Sequence, residues 1–402
     1  MRIVDVCAFY APAGGGVRTY VDAKLSWASR HGHEVIILAP GERHETVKRG
    51  PGAYVVTIPS PALPLDRRYR YFDDEDAIHR VLDAWQPDHV EASSPWSSAS
   101  MVGRWQGSAS RSLIMHCDPL GTYAYRWLGG VIPIDAIDRL FGRFWQHLRR
   151  LDEMFDLVVC ANRQLARRLG RGGIGKCETI PMGVEPGVFS PTNRSVELRE
   201  ATLRSMGLGP DSVLLLGLGR LASEKRWEMV VRAAGQVADV GLLLVGDGAK
   251  RPQLERLARK TGKARIADSI GDRPELARLL ASADALVHGC EAETFCMAAA
   301  EARASGIPMI VPDRGAAMDQ SVRRASIVYR AGNKGSLVNA IQRFIDRGPE
   351  LQRMRATLQS DVRTMDEHFT QLTERYEALR KTHQPSAESN FSALPLLASS
   401  VG

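Results

Sequence analysis

Short apolar runs alternate with amphipathic stretches along most of the chain. "RIVDVCAFY", "EVIILAP" and "YVVTIP" come first, then "SLIMHC", "DLVVCA" and "CETIPM", then "VLLLGLG", "GLLLVGD", "ALVHG" and "PMIVPD". Runs this short and this continuously apolar suit parallel strands covered by helices on both faces. The alternation therefore predicts an α/β protein. A polar stretch over 189–212, with Pro191 and Pro210, breaks the pattern before a fresh strand begins at Val213. Two Rossmann-like domains follow from that break, over 1–190 and 195–365. "DEHFTQLTERYEALRKTH" reads as a terminal helix over 366–382. The remainder, 383–402, lacks either period and is expected to be disordered.

Length changes little in this picture, since 402 residues are ample for two domains. Charge adds more. A formal net charge of +7 favours anionic partners such as nucleotides, phosphates or an anionic lipid surface. There is no run of eighteen apolar residues for a transmembrane helix, and the first residues read as a strand and its loop, not a signal peptide. The cysteines, Cys7, Cys117, Cys160, Cys177, Cys290 and Cys296, form no CxxC pair and have no metal-ligand spacing. A cytoplasmic protein without disulfides or zinc is expected.

Chemistry gathers where strands end, the edge at which open parallel sheets bind ligands. In "LLLGLGRLASEKRW" a strand ends at Gly217–Gly219, and Arg220 and Lys225 follow. Two cations there suit a diphosphate, arginine through its planar fork and lysine as a point charge; a solvated surface turn would look the same. In "APAGGGVRTYV", Gly14, Gly15 and Gly16 allow close backbone approach before a helix N-terminus that favours an anion, although no P-loop GK[ST] follows. "LIMHCDPLGTY" puts His116 and Asp118 at another strand end. The Gly-Asp-Gly turn of "LLLVGDGAKRPQLERLA" reads as structural, and "DDED" at 73–76 as acids in a first helical turn, not a metal site. "EAETFCMAAAE" separates Glu293, in a loop, from Glu301, facing inward from the following helix. A capping acid plus a paired glutamate would also account for it.

"GRLASEK", "VGDGAKRPQLE", "SADALVHGCEAETFCMAAAEARASGIPMIV" and "GGGVRTYV" together resemble the retaining family 4 glycosyltransferases of GT-B fold, in the right order over nearly the whole chain. The N-terminal half is most similar to lipid-directed mannosyl- and glucosyltransferases. The resemblance implies two Rossmann-like domains facing a central cleft. It implies Glu293 beside the donor sugar, Glu301 on the ribose hydroxyls, and Arg220 and Lys225 clamping the diphosphate. Phe295, Cys296 and Met297 would begin the helix that faces the phosphates. His116 would reach sugar or acceptor from the opposite domain, and Gly15 and Gly16 would close over the diphosphate. No cofactor and no metal are required, because cations and helix N-termini supply positive charge.

Three positions depart from the family pattern. Cys296 stands where glycine is usual, "MGVE" at 182–185 keeps only the acid Glu185 of the usual "NGVD", and Ala249 replaces a common proline. The leading expectation is retaining transfer of a hexose from a nucleotide diphosphate sugar to a membrane lipid, by a cytoplasmic protein peripheral on the inner face. Nucleic acid is not an expected partner. Alternatives are a soluble or polysaccharide acceptor, a glycosidase or phosphorylase using Glu293 and Glu301, or a catalytically weak nucleotide-sugar-binding scaffold. The lipid expectation rests on 125–151, where Ile137, Leu140, Phe141, Phe144 and Leu148 recur at helical spacing among arginines that include Arg149 and Arg150. Packing that stripe on the sheet would give the same period.

Overall fold

Ten apolar runs become ten of the strands in a computed structural model that describes residues 1–10, 15–64, 69–124, 134–322, 325–347 and 362–383, with Glu350, Arg355 and Leu358. The first sheet contains β1 (Arg2–Cys7), β2 (Glu34–Gly41), β3 (Glu45–Gly50), β4 (Ala53–Pro59), β5 (His89–Ser93), β6 (Ser110–Met115), β7 (Leu157–Cys160) and β8 (Cys177–Thr179). Its order is β3-β4-β2-β1-β5-β6-β7-β8. All pairs are parallel except β3 with β4. The second contains β9 (Val213–Leu218), β10 (Val240–Val245), β11 (Ala264–Ala267), β12 (Ala285–Val287), β13 (Met309–Pro312) and β14 (Ser326–Tyr329), ordered β11-β10-β9-β12-β13-β14 and parallel throughout.

Each sheet runs outward in both directions from its first strand, the doubly wound arrangement. The order reverses between β1 and β5 in one sheet and between β9 and β12 in the other. Chain leaving the carboxyl ends of two such neighbouring strands diverges to opposite faces and opens a crevice.

Helices cover both faces of each sheet. One cluster of buried side chains, including Val4, Ile36, Leu113 and Leu151, lies within the first domain. Another, around Trp227, Leu242 and Phe344, lies within the second. A third runs through both, from Ile3 and Tyr20 to Leu216 and Leu286. The helix Met365–His383 follows the second sheet in sequence but packs on the first domain. Phe369 meets Tyr20 with ring centroids 5.1 Å apart, Tyr376 stacks on His89 at 3.7 Å, and Arg30 pairs with Asp366 at 2.6 Å. No helix among the described residues is long and apolar enough to cross a membrane.

Candidate active site

The crevice of the second sheet holds the two halves of the glycosyltransferase-like motif. After β9 the chain passes Arg220 and forms a short 3-10 turn, Ser223–Lys225. After β12 it passes His288 and reaches Glu293. These loops touch: a Cβ on Gly289 would come within 2.5 Å of the Lys225 carbonyl, so only glycine lets them approach. Their contact brings the Lys225 ammonium against the Glu293 carboxylate. His288, buried beneath them, places Nε2 3.1 Å from the same carboxylate oxygen. Burial opposes charge on both members of the pair, but the opposite charge outweighs it. Glu293 is held well below the usual carboxylate range and Lys225 above the usual lysine range.

Cys296 then turns the chain into the helix Met297–Ala304, with φ +66° and ψ +69°. That left-handed conformation explains why glycine is usual at this position, and a side chain there costs roughly 1 kcal/mol. No side chain caps the helix, so its first backbone N–H groups and the positive end of its dipole are left without a side-chain acceptor, just after the Glu293 loop. Phe295 is buried in the core under the loop.

Glu301 is 3% exposed and bonded to Arg273 at 2.5 Å. Arg273 also donates to Glu185 at 3.0 Å and lies over the Phe189 ring. Burial raises the Glu301 carboxyl although Arg273 opposes the shift. The acid retained in "MGVE" thus shares one guanidinium with Glu301.

The first domain reaches the same place through backbone and side-chain bonds. Thr294 Oγ1 donates to the His116 carbonyl at 2.9 Å, and Asn162 Nδ2 donates to the Thr294 carbonyl at 2.6 Å. A cavity of 930 Å³ lies between the domains, lined by Asp118, Arg149 and Arg168 on one side and Arg226, Glu293 and Arg314 on the other. The His116 ring packs edge-on against Tyr20 with centroids 4.6 Å apart, and burial pushes its imidazole down to about 4. Its buried Nε2 has no hydrogen-bond partner among the described residues.

Several expected residues stand differently from the simplest version of the motif. Lys225 meets Glu293 directly, whereas Arg220 points to solvent and bonds Glu224 at 2.7 Å. Asp118, on the cavity wall, pairs with Arg168 and accepts from the Gly121 N–H at 3.0 Å. Gly15 and Gly16 precede and begin the first helix, and a Cβ on either would meet open space; Gly14 lies outside the described residues. The Gly-Asp-Gly turn is structural as expected: Asp247 accepts from Leu221 at 2.8 Å, and Lys250 donates back to Leu221 at 2.9 Å. Asp74 of "DDED" caps its helix by accepting from Ala77.

The stripe proposed to lie in a bilayer is corrected by packing. Ile137, Trp145 and Leu148 are buried in the first domain, with Phe141 and Phe144 packed against them, and Leu140 alone among the stripe's large apolar residues is strongly exposed. The helix Gly142–Met154 needs that face for its own domain. Its outer side keeps Arg143 and Arg150 exposed, while Arg149, also exposed, lines the cavity and donates to the Gly172 carbonyl at 2.9 Å. Residues 125–133 lie outside the described residues.

Two doubly wound domains facing one another across a charged cleft form the GT-B architecture of glycosyltransferases. The family comparisons agree: residues 14–188 match the model described as Glycosyltransferase Family 4, and residues 199–360 match Glycosyl transferases group 1. The chain belongs to the family 4 glycosyltransferases. It is 31% identical over 362 residues to a GDP-mannose-dependent alpha-(1-6)-phosphatidylinositol dimannoside mannosyltransferase of Mycobacterium tuberculosis, covering 88% of this chain and 90% of the relative. A GDP-mannose-dependent alpha-mannosyltransferase of Corynebacterium glutamicum is 29% identical, over 79% of this chain and 74% of its own. Among solved structures, sucrose-phosphate synthase from Thermosynechococcus elongatus superposes with a TM-score of 0.75 at 20% identity, covering 95% of this chain and all of that one, a likeness of fold.

Proposed function

We propose that this protein transfers a mannosyl group from GDP-mannose to a lipid-linked acceptor at the cytoplasmic face of a membrane, retaining the anomeric configuration. The observation that carries this reading is the Lys225–Glu293–His288 cluster at the β9/β12 crevice, in a chain similar over nearly its full length to mannosyltransferases named for GDP-mannose. Glu293 is positioned by two cationic or hydrogen-bonding partners and takes the hydroxyls of the donor sugar. When the diphosphate arrives, Lys225 turns from Glu293 to its oxygens, joined by Arg220 and by the N–H groups that begin at Met297. Charge growing on the leaving phosphate is thereby stabilised by groups that the bound diphosphate has already drawn to it. Glu301, oriented by Arg273, accepts from the ribose hydroxyls. His116 approaches the sugar from the first domain, and Gly15 and Gly16 leave room for the diphosphate.

Retention follows from a front-face substitution in which the donor phosphate takes the acceptor proton. Glu293 is engaged by Lys225 and His288, an arrangement suited to hydroxyl recognition, not to attack on the anomeric carbon. Positive charge comes from the chain itself, so transfer is expected to proceed in the presence of a chelator. The excess of basic residues, and Arg143, Arg149 and Arg150 in particular, suits electrostatic attachment to anionic lipid.

A soluble acceptor is the second reading, favoured by burial of Ile137, Trp145 and Leu148. The deciding experiment offers GDP-mannose, UDP-glucose and UDP-galactose with phosphatidylinositol mannosides, other lipid acceptors or soluble sugars, and follows product mass. Mannosylated lipid from GDP-mannose supports the proposal. Transfer confined to soluble acceptors selects the second reading, and binding without turnover rejects both.

A further inference from the structure

We propose that His288, Glu293 and Cys296 form a binding site for a thiophilic divalent cation such as Zn2+, whose occupancy excludes the donor sugar. The inhibitory arm rests on the function proposed above; the binding arm does not. The donor atoms of the three residues lie within 4.8 Å of one another. Cys296 Sγ is 3.7 Å from His288 Nε2, which is 3.1 Å from Glu293 Oε1. Tetrahedral zinc, with bonds of about 2.3 Å to sulfur and about 2.1 Å to nitrogen or oxygen, sets those separations at about 3.6 and about 3.4 Å. Both separations from His288 Nε2 match within a few tenths of an ångström; the sulfur and the carboxylate, within 4.8 Å of each other, close to about 3.6 Å when Glu293 swings onto the metal, and three protein ligands leave a fourth position open.

The ligand set is chemically selective. Imidazole, carboxylate and thiolate suit zinc and its borderline neighbours, whereas magnesium and calcium prefer oxygen. His288 and Cys296 are almost fully buried, so little rearrangement freedom is lost on binding. Cys296 holds its thiol at φ +66°, a conformation that glycine would occupy without strain.

Binding is balanced as follows. The Cys296 thiol gives its proton to solvent and its sulfur bonds the metal. His288 shifts its hydrogen from Nε2 to Nδ1 and offers the Nε2 lone pair. Lys225 leaves Glu293, whose oxygen becomes the third ligand. Glu293 then cannot take the sugar hydroxyls, and the cation competes with the nucleotide sugar.

Cobalt(II) reports such a site directly. Titrating the full-length reduced protein with Co2+ is expected to give tetrahedral ligand-field bands and a thiolate charge-transfer band. Cys160 and Cys177, whose sulfurs lie 3.1 Å apart, offer a separate thiol pair. The comparison is therefore made in a Cys160→Ala/Cys177→Ala background, with and without Cys296→Ala, and with Cys296→Gly as a second variant that suits the backbone. Loss of the bands in both Cys296 variants, and Zn2+ affinity weaker on the order of 100-fold, is the expected result. Zn2+ should also slow transfer by the Cys296-containing protein, relieved by excess donor, while each Cys296 variant keeps its own metal-free rate. Bands and affinity that do not depend on Cys296 would overturn the proposal. Bands that depend on Cys296 in a protein without transfer activity would keep the metal site and reject the transferase reading; transfer unaffected by bound metal would reject competition with the donor.

Discussion

The Lys225 ammonium lies against the Glu293 carboxylate, joining a turn after β9 to a loop after β12 across 68 positions of sequence. The pair holds the crevice in a form that a diphosphate can reorganise, because lysine has a flexible stem and a second anionic partner to move to.

Removing Lys225 should have two effects. Lys225→Ala is expected to slow transfer by ~10²–10³, the loss seen when a preorganised donor to developing charge is deleted. It also leaves Glu293 partly buried without its main counter-charge, so the melting temperature should fall. Glu293→Gln in the Lys225→Ala background should recover part of that stability but none of the rate. Arg220→Ala should slow transfer with stability changed by less than about 0.5 kcal/mol, because its guanidinium is exposed. Wild-type turnover in both single variants would remove this turn from the mechanism.

Glu301 and Glu293 should separate in kinetics. Glu301→Ala is expected to raise KM for the nucleotide sugar by the equivalent of about 1.5–3 kcal/mol, the range for a hydrogen bond to a charged group. Glu293→Ala should lower kcat more than it raises KM. Arg273→Ala should weaken nucleotide binding as Glu301→Ala does, and also destabilise the fold by about 3–5 kcal/mol by leaving a buried carboxylate unpaired. Isothermal titration with GDP, alongside thermal melts, distinguishes these outcomes.

A buried triad near His116 supplies a pH test. Lys24 Nζ lies 2.9 Å from Asp5 and 2.6 Å from Glu91, and burial raises Glu91 from 4.5 to about 7 although Lys24 opposes it. Because the folded value exceeds the unfolded one, this group favours folding fully below about pH 4.5. That contribution declines as pH rises toward 7, by at most about 3 kcal/mol. His368, lowered by burial to about 3, acts oppositely, losing stability as pH falls below its ordinary 6.5. The Glu91 effect is therefore read as a difference: denaturant unfolding of wild type minus Glu91→Gln should fall between pH 5 and 7. A flat difference would contradict the assignment.

Arginines on the outer side of Gly142–Met154 should govern membrane attachment. Arg143→Glu/Arg150→Glu is expected to weaken cosedimentation with anionic vesicles on the order of 10-fold or more at low salt, at about 1 kcal/mol per basic residue near the surface. High salt should weaken wild-type binding similarly. Unchanged binding in the double variant would move the attachment elsewhere.

The apolar runs made most of both sheets legible, because a covered parallel strand must be apolar on both faces. β5 escaped that rule. Its His89, Glu91 and Ser93 are all buried, bonded to Ser110 and Ser112, Lys24 and Asp5 respectively. A strand whose polar groups are satisfied inside the core looks like a loop in sequence. β3 was hidden for the opposite reason: it is an exposed antiparallel edge. β11 and β14 are the two edges of the second sheet and only partly buried, so neither needs a continuous apolar run.

At the site, Glu293 and Lys225 could be named from their motifs, but their contact could not. It depends on β9 and β12 being neighbours across a topological switch. His288 was visible only as part of an apolar strand end, and Arg273 as one arginine among many at a helix start. The helical period over 134–151 corresponds to two helices, Ile134–Leu140 and Gly142–Met154, broken at Phe141, and period alone does not say whether sheet or lipid covers the apolar side.

The central claim is that a mannosyl group passes from GDP-mannose to a lipid-linked acceptor without inversion. Nuclear magnetic resonance of the purified product measures this most directly, through the one-bond carbon–hydrogen coupling at the newly linked anomeric carbon. An α-linked mannosyl lipid, matching the donor's configuration and lost in Lys225→Ala, is the predicted result. A β-linked product, or no mannosyl lipid from GDP-mannose under conditions where another nucleotide sugar is consumed, would contradict it.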